Sequence, residues 1–187
     1  MSDNPSTQLL ETVANLEVDD AIVLLLGSPS KTPSLSNQLK GVTRLEKLLF
    51  LVERESDLSE LISEDMEFSA HNFGPFSAKI YQMLEVLAAA GLVEDSSRYS
   101  TTTEDSWEAS EVIGEPVDPY ATRDFVLTER GQKYYRALIS ELPSGVEDTL
   151  RDFKERFGGL PLRQLIRYVY QKYPDYTEKS LIKDEVL

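Results

Sequence analysis

Seven stretches of the chain carry apolar residues at helical spacing or in an unbroken run, and each predicts a helix. A run ending at Gly27 and another ending at Gly91 stop at a residue that commonly closes helices. Pro174 ends the last long one because proline cannot continue a helix. The stretches are 5–16, 21–26, 43–52, 76–90, 128–142, 144–157 and 162–169.

The regions between these helices predict loops and a few extended segments. Residues 27–40 are rich in Ser and Pro, which is typical of a loop. Residues 67–73 have an extended pattern that leads to a turn at Gly74-Pro75. Leu92-Val93 and Phe125-Val126-Leu127 predict two short strands, and the acidic stretch 94–118 predicts a long loop between them.

The order of these elements predicts a mainly α fold with a small β-hairpin, an α+β winged helix-turn-helix with extra N- and C-terminal helices. Its signature has two halves. One is the helix ending in A-A-A-G-L-V-E, and the other is F-V-L-T-E-R-G-Q-K-Y-Y, in which a strand runs into a helix capped by Thr128. We expect residues 1–40 to form an N-terminal helix and loop, 41–142 the winged-helix domain with its insertion at 94–118, and 143–187 a helical extension.

The composition argues against an enzyme and against a resident cofactor. The 187 residues include no cysteine and one histidine, His71. Thiol chemistry and thiolate metal sites are therefore excluded, and a serine triad or histidine-based metal site could be built around His71 alone. A lone histidine before a turn more often bonds to backbone. We predict no catalytic residue, no metal and no cofactor.

The formal charge of −14 is distributed unevenly along the chain. Residues 1–122 hold 7 Lys+Arg and 22 Asp+Glu, whereas residues 123–183 hold 12 and 9. Phosphate groups repel an acidic surface, so a nucleic-acid contact is better sought in the C-terminal third or in a neutral patch. The start of the chain does not resemble a signal peptide, and no apolar run is long enough to cross a bilayer. We expect a cytoplasmic protein without membrane contact.

Two motifs also resemble a known family. G-V-T-R-L-E-K-L-L-F-L-V (41–52) and A-H-N-F-G-P-F-S-A-K-I-Y (70–81) resemble the Panacea antitoxin domain (SocA-like) and the related YwgA-like proteins. The resemblance covers about residues 40–95. It implies a helical, winged-helix-like scaffold without catalytic residues, acting as a protein-binding antitoxin, an adaptor or a regulator.

The helix that follows Gly74-Pro75 is the candidate recognition helix of a DNA-binding domain. Its early residues Ser77, Lys79 and Gln82 are expected to be exposed and are of types that contact phosphates or bases. The same pattern is explained equally well by an ordinary amphipathic helix that packs on the core with one side and exposes polar residues on the other. The acidic loop, with a net charge of −7, opposes DNA contact. Its aromatic residues Tyr99 and Trp107 are candidates for anchoring a protein partner instead.

The C-terminal third adds basic residues and a tyrosine cluster. Tyr168, Tyr170 and Tyr173 recur on one predicted helix, where tyrosines commonly pack in a core or between protomers, and we expect a dimer interface there. The leading hypothesis is a transcriptional regulator that binds double-stranded DNA as a homodimer. The alternative is an antitoxin- or adaptor-type module that binds a protein partner.

Overall fold

The computed structural model describes residues 15–99 and 121–187. The helices are α1 (Val18–Gly27), α2 (Val42–Glu55), α3 (Ala78–Ala89), α4 (Glu129–Glu141), α5 (Val146–Phe157), α6 (Leu162–Lys172) and α7 (Lys183–Val186). The strands are β1 (Gln38–Lys40), β2 (Ser69–His71), β3 (Gly74–Phe76), β4 (Val93–Tyr99) and β5 (Ala121–Leu127). Within these two ranges, short 3-10 turns lie at Pro33–Leu35, Asp57–Leu61 and Pro174–Thr177. The protein is mostly helical with small antiparallel sheets, so the predicted α+β class is confirmed.

The larger sheet has the strand order β1-β5-β4, and both pairings are antiparallel. The prediction of a loop over residues 27–40 is wrong at its end, because Gln38–Lys40 form β1 on the edge of this sheet. Val93 faces Leu127 in the register of β4 and β5, which confirms the predicted pairing of these two segments. The hairpin is longer than the apolar residues alone indicate, because β4 continues to Tyr99. Residues 94–99 were predicted to belong to the acidic loop, and that part of the prediction is wrong.

A second, two-stranded hairpin precedes α3. Strands β2 and β3 pair with His71 opposite Gly74, so the turn falls between these two residues. The expectation of a turn at Gly74-Pro75 is therefore wrong, since both residues lie in β3. A proline is tolerated there because a two-stranded hairpin consists of edge strands only. Helix α3 then begins one residue after Ser77, whose hydroxyl caps it.

Helices α1 and α2 form the centre of the core. Every residue from Ala21 to Gly27 is buried, as the unbroken apolar run predicts. The predicted stripe of α2 is buried as well, and the burial extends around the helix to Glu46 and Lys47. Thr43 and Glu46 have the spacing of a capping box and by sequence predict a helix start at Thr43, but Gly41 occupies the N-cap position and the Glu46 carboxylate accepts from Ser77 N–H instead.

Helix α6 completes the core from the C-terminal part of the chain. Its five buried residues belong to the same continuous cluster as those of α1 and α2. They are Leu162, Leu165, Ile166, Val169 and Tyr170. At roughly 1.5–3 kcal/mol for each large apolar side chain removed from water, this helix contributes strongly to stability.

The N-terminal part of the described chain differs from the helical prediction. Leu16 forms an isolated parallel bridge with Ile62, and α1 begins at Val18. The predicted helix at 5–16 falls mainly in residues 1–14, which lie outside the described part. Across 15–99 and 121–187, no helix has the length and apolar character needed to cross a bilayer.

Candidate functional site

A buried ion pair on α2 joins the two motifs of the sequence. The Lys47 Nζ donates a hydrogen bond of 2.8 Å to the Pro75 carbonyl, and the Ser77 N–H donates one of 2.7 Å to Glu46 Oε1. Lys47 Nζ and Glu46 Oε2 are 3.5 Å apart, and both side chains are fully buried. We call these four residues the α2 clasp. It fixes the backbone between β3 and α3.

The clasp is costly to bury, and its hydrogen bonds explain why the two charges are tolerated. Two ions removed from water lose several kcal/mol of solvation each, which mutual attraction offsets only when the geometry is good and further polar partners are present. Here a carbonyl and a backbone N–H supply those partners. The first turn of α3 is consequently held in one position relative to α2.

Ser77 belongs to this support and not to the surface. It is fully buried, and its hydroxyl accepts a hydrogen bond from Ile80 N–H at 3.3 Å while donating to the Met66 carbonyl. The prediction that Ser77 is exposed and contacts DNA is therefore wrong. A serine suits this position because its buried hydroxyl caps the helix and so satisfies its own hydrogen bonds.

The Gly74 position explains why α6 packs on the hairpin. Gly74 has φ +91°, and a Cβ added there would lie 2.6 Å from the Tyr170 ring. Only glycine combines that backbone conformation with so close an approach. Tyr170 is 1% exposed, and its hydroxyl lies 2.8 Å from Ser180 Oγ. The prediction that Tyr170 forms a dimer interface is wrong, since its side chain packs inside its own chain.

Lys79, the single cation near the start of α3, is held by acidic neighbours. Its Nζ lies 2.8 Å from Glu64 Oε1 and 3.3 Å from Glu67 Oε1, and it donates a 2.8 Å hydrogen bond to the Asp65 carbonyl. The hydrogen bond with Glu64 raises the pKa of Lys79, and the same bond lowers the pKa of Glu64. Two carboxylates therefore neutralise the positive charge that DNA contact would require.

The solvent-facing side of α3 carries no lysine or arginine. Gln82 is exposed as predicted, and Val86 has 51% of its surface exposed although it is a large apolar residue. We call the exposed residues of this helix the α3 face. They are Ala78, Gln82, Glu85, Val86 and Ala89. The face is small, partly apolar and, through Glu85, negatively charged.

The two remaining tyrosines of the predicted dimer interface bond to α2. The Tyr168 and Tyr173 hydroxyls donate to the two oxygens of Glu55 at 2.8 and 2.9 Å, and Lys172 Nζ lies 2.9 Å from Glu55 Oε2. Burial alone raises the pKa of Glu55, but these three donors outweigh it and lower the pKa. Both side chains are half-buried, so their part in a dimer stays a prediction.

Most basic residues of the C-terminal third also contact their own chain. Arg151 lies 2.6 Å from Asp148, and Arg163 pairs with Glu185 at 4.0 Å. Arg167 Nε donates to the Val186 carbonyl at 2.6 Å, and Lys154 is fully buried. Carboxylates therefore neutralise Arg151 and Arg163, whereas Arg167 and Lys154 are engaged by backbone carbonyls.

The other candidate residues give no chemical centre in the part of the chain that the structure describes. His71 stacks on Phe76 with the ring centres 4.7 Å apart. The ranges 15–99 and 121–187 contain no group of three or more residues suited to hold a metal ion. Trp107 and the side chain of Tyr99 lie outside the described residues, so their predicted role in binding a partner stays a prediction.

No protein-family model, no curated protein and no solved structure matched the chain.

Proposed function

We propose that this protein is a non-enzymatic winged-helix module of the antitoxin or adaptor type, which binds a partner protein through the α3 face. The order α1, β1, α2, α3, β4, β5 and the sheet order β1-β5-β4 support the winged-helix assignment. In that arrangement α3 takes the place of the recognition helix. The 3-10 turn and the β2-β3 hairpin between α2 and α3 are an addition to it.

The observation that carries the proposal is the chemistry of the α3 face. DNA affinity rests on cations that neutralise phosphates, and the one cation near the start of this helix is already paired with Glu64 and Glu67. Glu85 adds a negative charge where a recognition helix would approach the major groove. A protein surface is the better match for such a face.

The same face indicates what its partner looks like. Val86 is the largest exposed apolar side chain of the face and lies beside Gln82 and Glu85, so the face offers an apolar contact with polar residues next to it, as the centre and rim of a protein interface do. A partner with an apolar pocket and a basic rim would complement it, because opposite potentials across an interface favour association. The α2 clasp keeps the face rigid, which reduces the entropy lost on binding.

The second candidate is a regulator that binds double-stranded DNA as a homodimer. The position of α3 in the element order favours it, since this is the helix that enters the major groove in DNA-binding members of that architecture. Its contacts would come from Gln82 and from a Lys79 released by its two carboxylates.

Fluorescence anisotropy with a labelled duplex separates the two candidates. Under the protein-binding proposal, the full chain leaves the anisotropy unchanged at low salt, and Lys79→Ala does the same. The DNA proposal requires binding that weakens steeply as salt rises and that weakens further in Lys79→Ala.

Co-purification from the source cells tests the protein partner directly. A partner should be recovered in stoichiometric amount with the natural chain and lost with Val86→Arg. Leu187→Arg is the matched control, since Leu187 is 56% exposed and lies at the far C-terminus. Equal recovery with Val86→Arg and Leu187→Arg would contradict the assignment of the α3 face.

A further inference from the structure

A pocket of about 330 Å³ opens on a side of the molecule formed by α1, α4 and α5. The C-terminal end of α1 and the loop after it form one wall, from Gly27 to Ser30. The middle of α4 and the first turn of α5 form the other walls. Its volume lies at the lower end of the range for small-molecule sites, about 300–1,000 Å³, so it suits a small ligand.

Two opposite charges line this pocket without neutralising each other. Arg136 lies on α4 and Glu147 on α5, and both side chains reach solvent. They form no ion pair with each other or with a third residue in the described ranges. Because the two side chains line one cavity without pairing, a ligand that carries both a negative and a positive charge can bind between them. A ligand with one charge would be attracted by one of these groups and repelled by the other.

A hydrogen bond from a buried tyrosine holds the carboxylate of Glu147 in place. The hydroxyl of the buried Tyr135 donates a hydrogen bond of 2.9 Å to Glu147 Oε1. Burial, and to a smaller extent the hydrogen bond with Glu147, raises the pKa of Tyr135, so the phenol stays protonated and remains a donor. Glu147 also lies in the first turn of α5, where the helix dipole favours a negative charge. The other carboxylate oxygen remains available to a ligand.

Side-chain amides add neutral donors and acceptors to the lining. Asn37 has φ +57°, a left-handed conformation that non-glycine residues rarely adopt. Its backbone carbonyl accepts from Leu127 N–H, which fixes this residue beside β5, and Asn37 is part of the lining of the pocket. Gln132 reaches the lining from α4, one helical turn before Arg136, and donates one amide hydrogen to the Leu127 carbonyl at 3.5 Å, which leaves its amide oxygen and second hydrogen. Amides of this kind can orient a polar ligand between the two charges.

The wall formed by the end of α1 is fixed by buried interactions. Lys154 Nζ donates to the Leu26 and Ser28 carbonyls at 2.7 and 3.1 Å. The Ser30 hydroxyl donates to Glu155 at 2.8 Å. Two neighbouring residues of α5 therefore anchor this wall, and a preformed wall lowers the entropy lost when a ligand binds.

We propose that this pocket binds a free α-amino acid, with its carboxylate on Arg136 and its ammonium group on Glu147. This site lies apart from the α3 face, and the proposal does not depend on what that face binds. It assigns the protein a small-molecule ligand in addition to its partner.

Saturation-transfer NMR with the full chain and pools of the proteinogenic L-amino acids tests the proposal. At least one amino acid should show transfer, and titration calorimetry then gives its dissociation constant. The N-acetyl and the carboxamide derivatives of that amino acid should each bind at least about tenfold more weakly, because each loses one charge-assisted contact. Absence of transfer from every amino acid at about 10 mM, or equal binding of the blocked derivatives, would overturn the proposal.

Variants of the two charged residues locate the site. Arg136→Met and Glu147→Gln should each weaken binding at least about tenfold. Arg130→Met and Asp152→Asn are matched controls on the same two helices, and both should bind as the natural chain does. All four residues are exposed, so the fold is retained in each variant. Unchanged affinity in Arg136→Met and Glu147→Gln would show that the ligand binds elsewhere and would reject this pocket.

Discussion

The α2 clasp makes a quantitative prediction about Lys47→Met. This substitution keeps the length and apolar volume of the side chain but removes the ammonium group. Glu46 is left as a buried charge without its nearest cation, and the Pro75 carbonyl loses its donor. Removing one partner of a buried ion pair costs about 3–5 kcal/mol, and we expect the free energy of unfolding to fall by that amount.

A double variant separates the ion pair from simple loss of packing. Glu46→Gln retains an oxygen that can accept from Ser77 N–H. Glu46→Gln with Lys47→Met therefore removes both buried charges, and a group left without a partner, such as the Pro75 carbonyl, is neutral. One buried unsatisfied group costs about 1–3 kcal/mol. The double variant should therefore be more stable than Lys47→Met alone, with a coupling free energy of about 2 kcal/mol.

Urea unfolding followed by far-UV circular dichroism measures these differences, with equal m values as the check on two-state behaviour. Lys133→Met is the control, since Lys133 pairs with Glu129 on the exposed side of α4. That surface pair contributes at most about 0.5 kcal/mol. A loss below about 1 kcal/mol in Lys47→Met, or additive losses in the two single variants, would refute the reasoning.

Three further predictions concern the stability of other parts of the fold. Gly74→Ala should lower the free energy of unfolding by about 2–4 kcal/mol, because the new methyl group strains the backbone and also collides with the Tyr170 ring. Gly145→Ala is the control: Gly145 has φ +96° but open space around it, so the loss should be about 1 kcal/mol. Similar urea midpoints for the two variants would contradict this prediction. Burial lowers the pKa of Lys154 to about 7, so above pH 7 the unfolded chain binds more protons than the folded chain. Between pH 7 and 9 the free energy of unfolding of the natural chain should therefore rise by about 2 kcal/mol relative to that of Lys154→Met. A difference between the two chains that does not change in this direction with pH would contradict the prediction. A chain that ends at Gly159 lacks α6 and should show no cooperative urea transition, which circular dichroism would detect.

The first six helices could be predicted from the sequence because local patterns determine them, whereas strand β1 was missed because its pairing with β5 joins distant parts of the chain. The apolar run before Gly27 and the stripe of α2 are buried as their spacing indicates. Thr128 caps α4 through a 3.0 Å bond from Gly131 N–H, as a threonine before a helical pattern suggests. Each of these features depends on residues within a few positions of one another.

The start of α3 could not be predicted in this way, because its environment is built from distant parts of the chain. Ser77 is buried by contacts with Glu46 and Met66, which lie 31 and 11 residues away. Lys79 has the spacing of an exposed cation, yet a loop 12 to 15 residues earlier supplies the carboxylates that neutralise it. The one signal in the sequence was the adjacent Glu46 and Lys47 within an otherwise apolar stripe.

The tyrosines of α6 show the same limit. Helical spacing cannot distinguish a tyrosine that packs in its own core from one that packs against a second protomer, because both surfaces are apolar with a polar rim. Tyr170 is buried because Gly74 leaves room for its ring. The sequence places these two residues 96 positions apart, and no local pattern connects them.

Photo-crosslinking from the α3 face tests the central claim most directly. A benzophenone amino acid replaces Gln82 in the full chain expressed in the source cells, and the same replacement at Lys133 on α4 serves as the control. The account predicts a crosslinked product from position 82 whose size nuclease leaves unchanged, with none from position 133. Crosslinks to nucleic acid at position 82, or equal protein crosslinks from both positions, would contradict it.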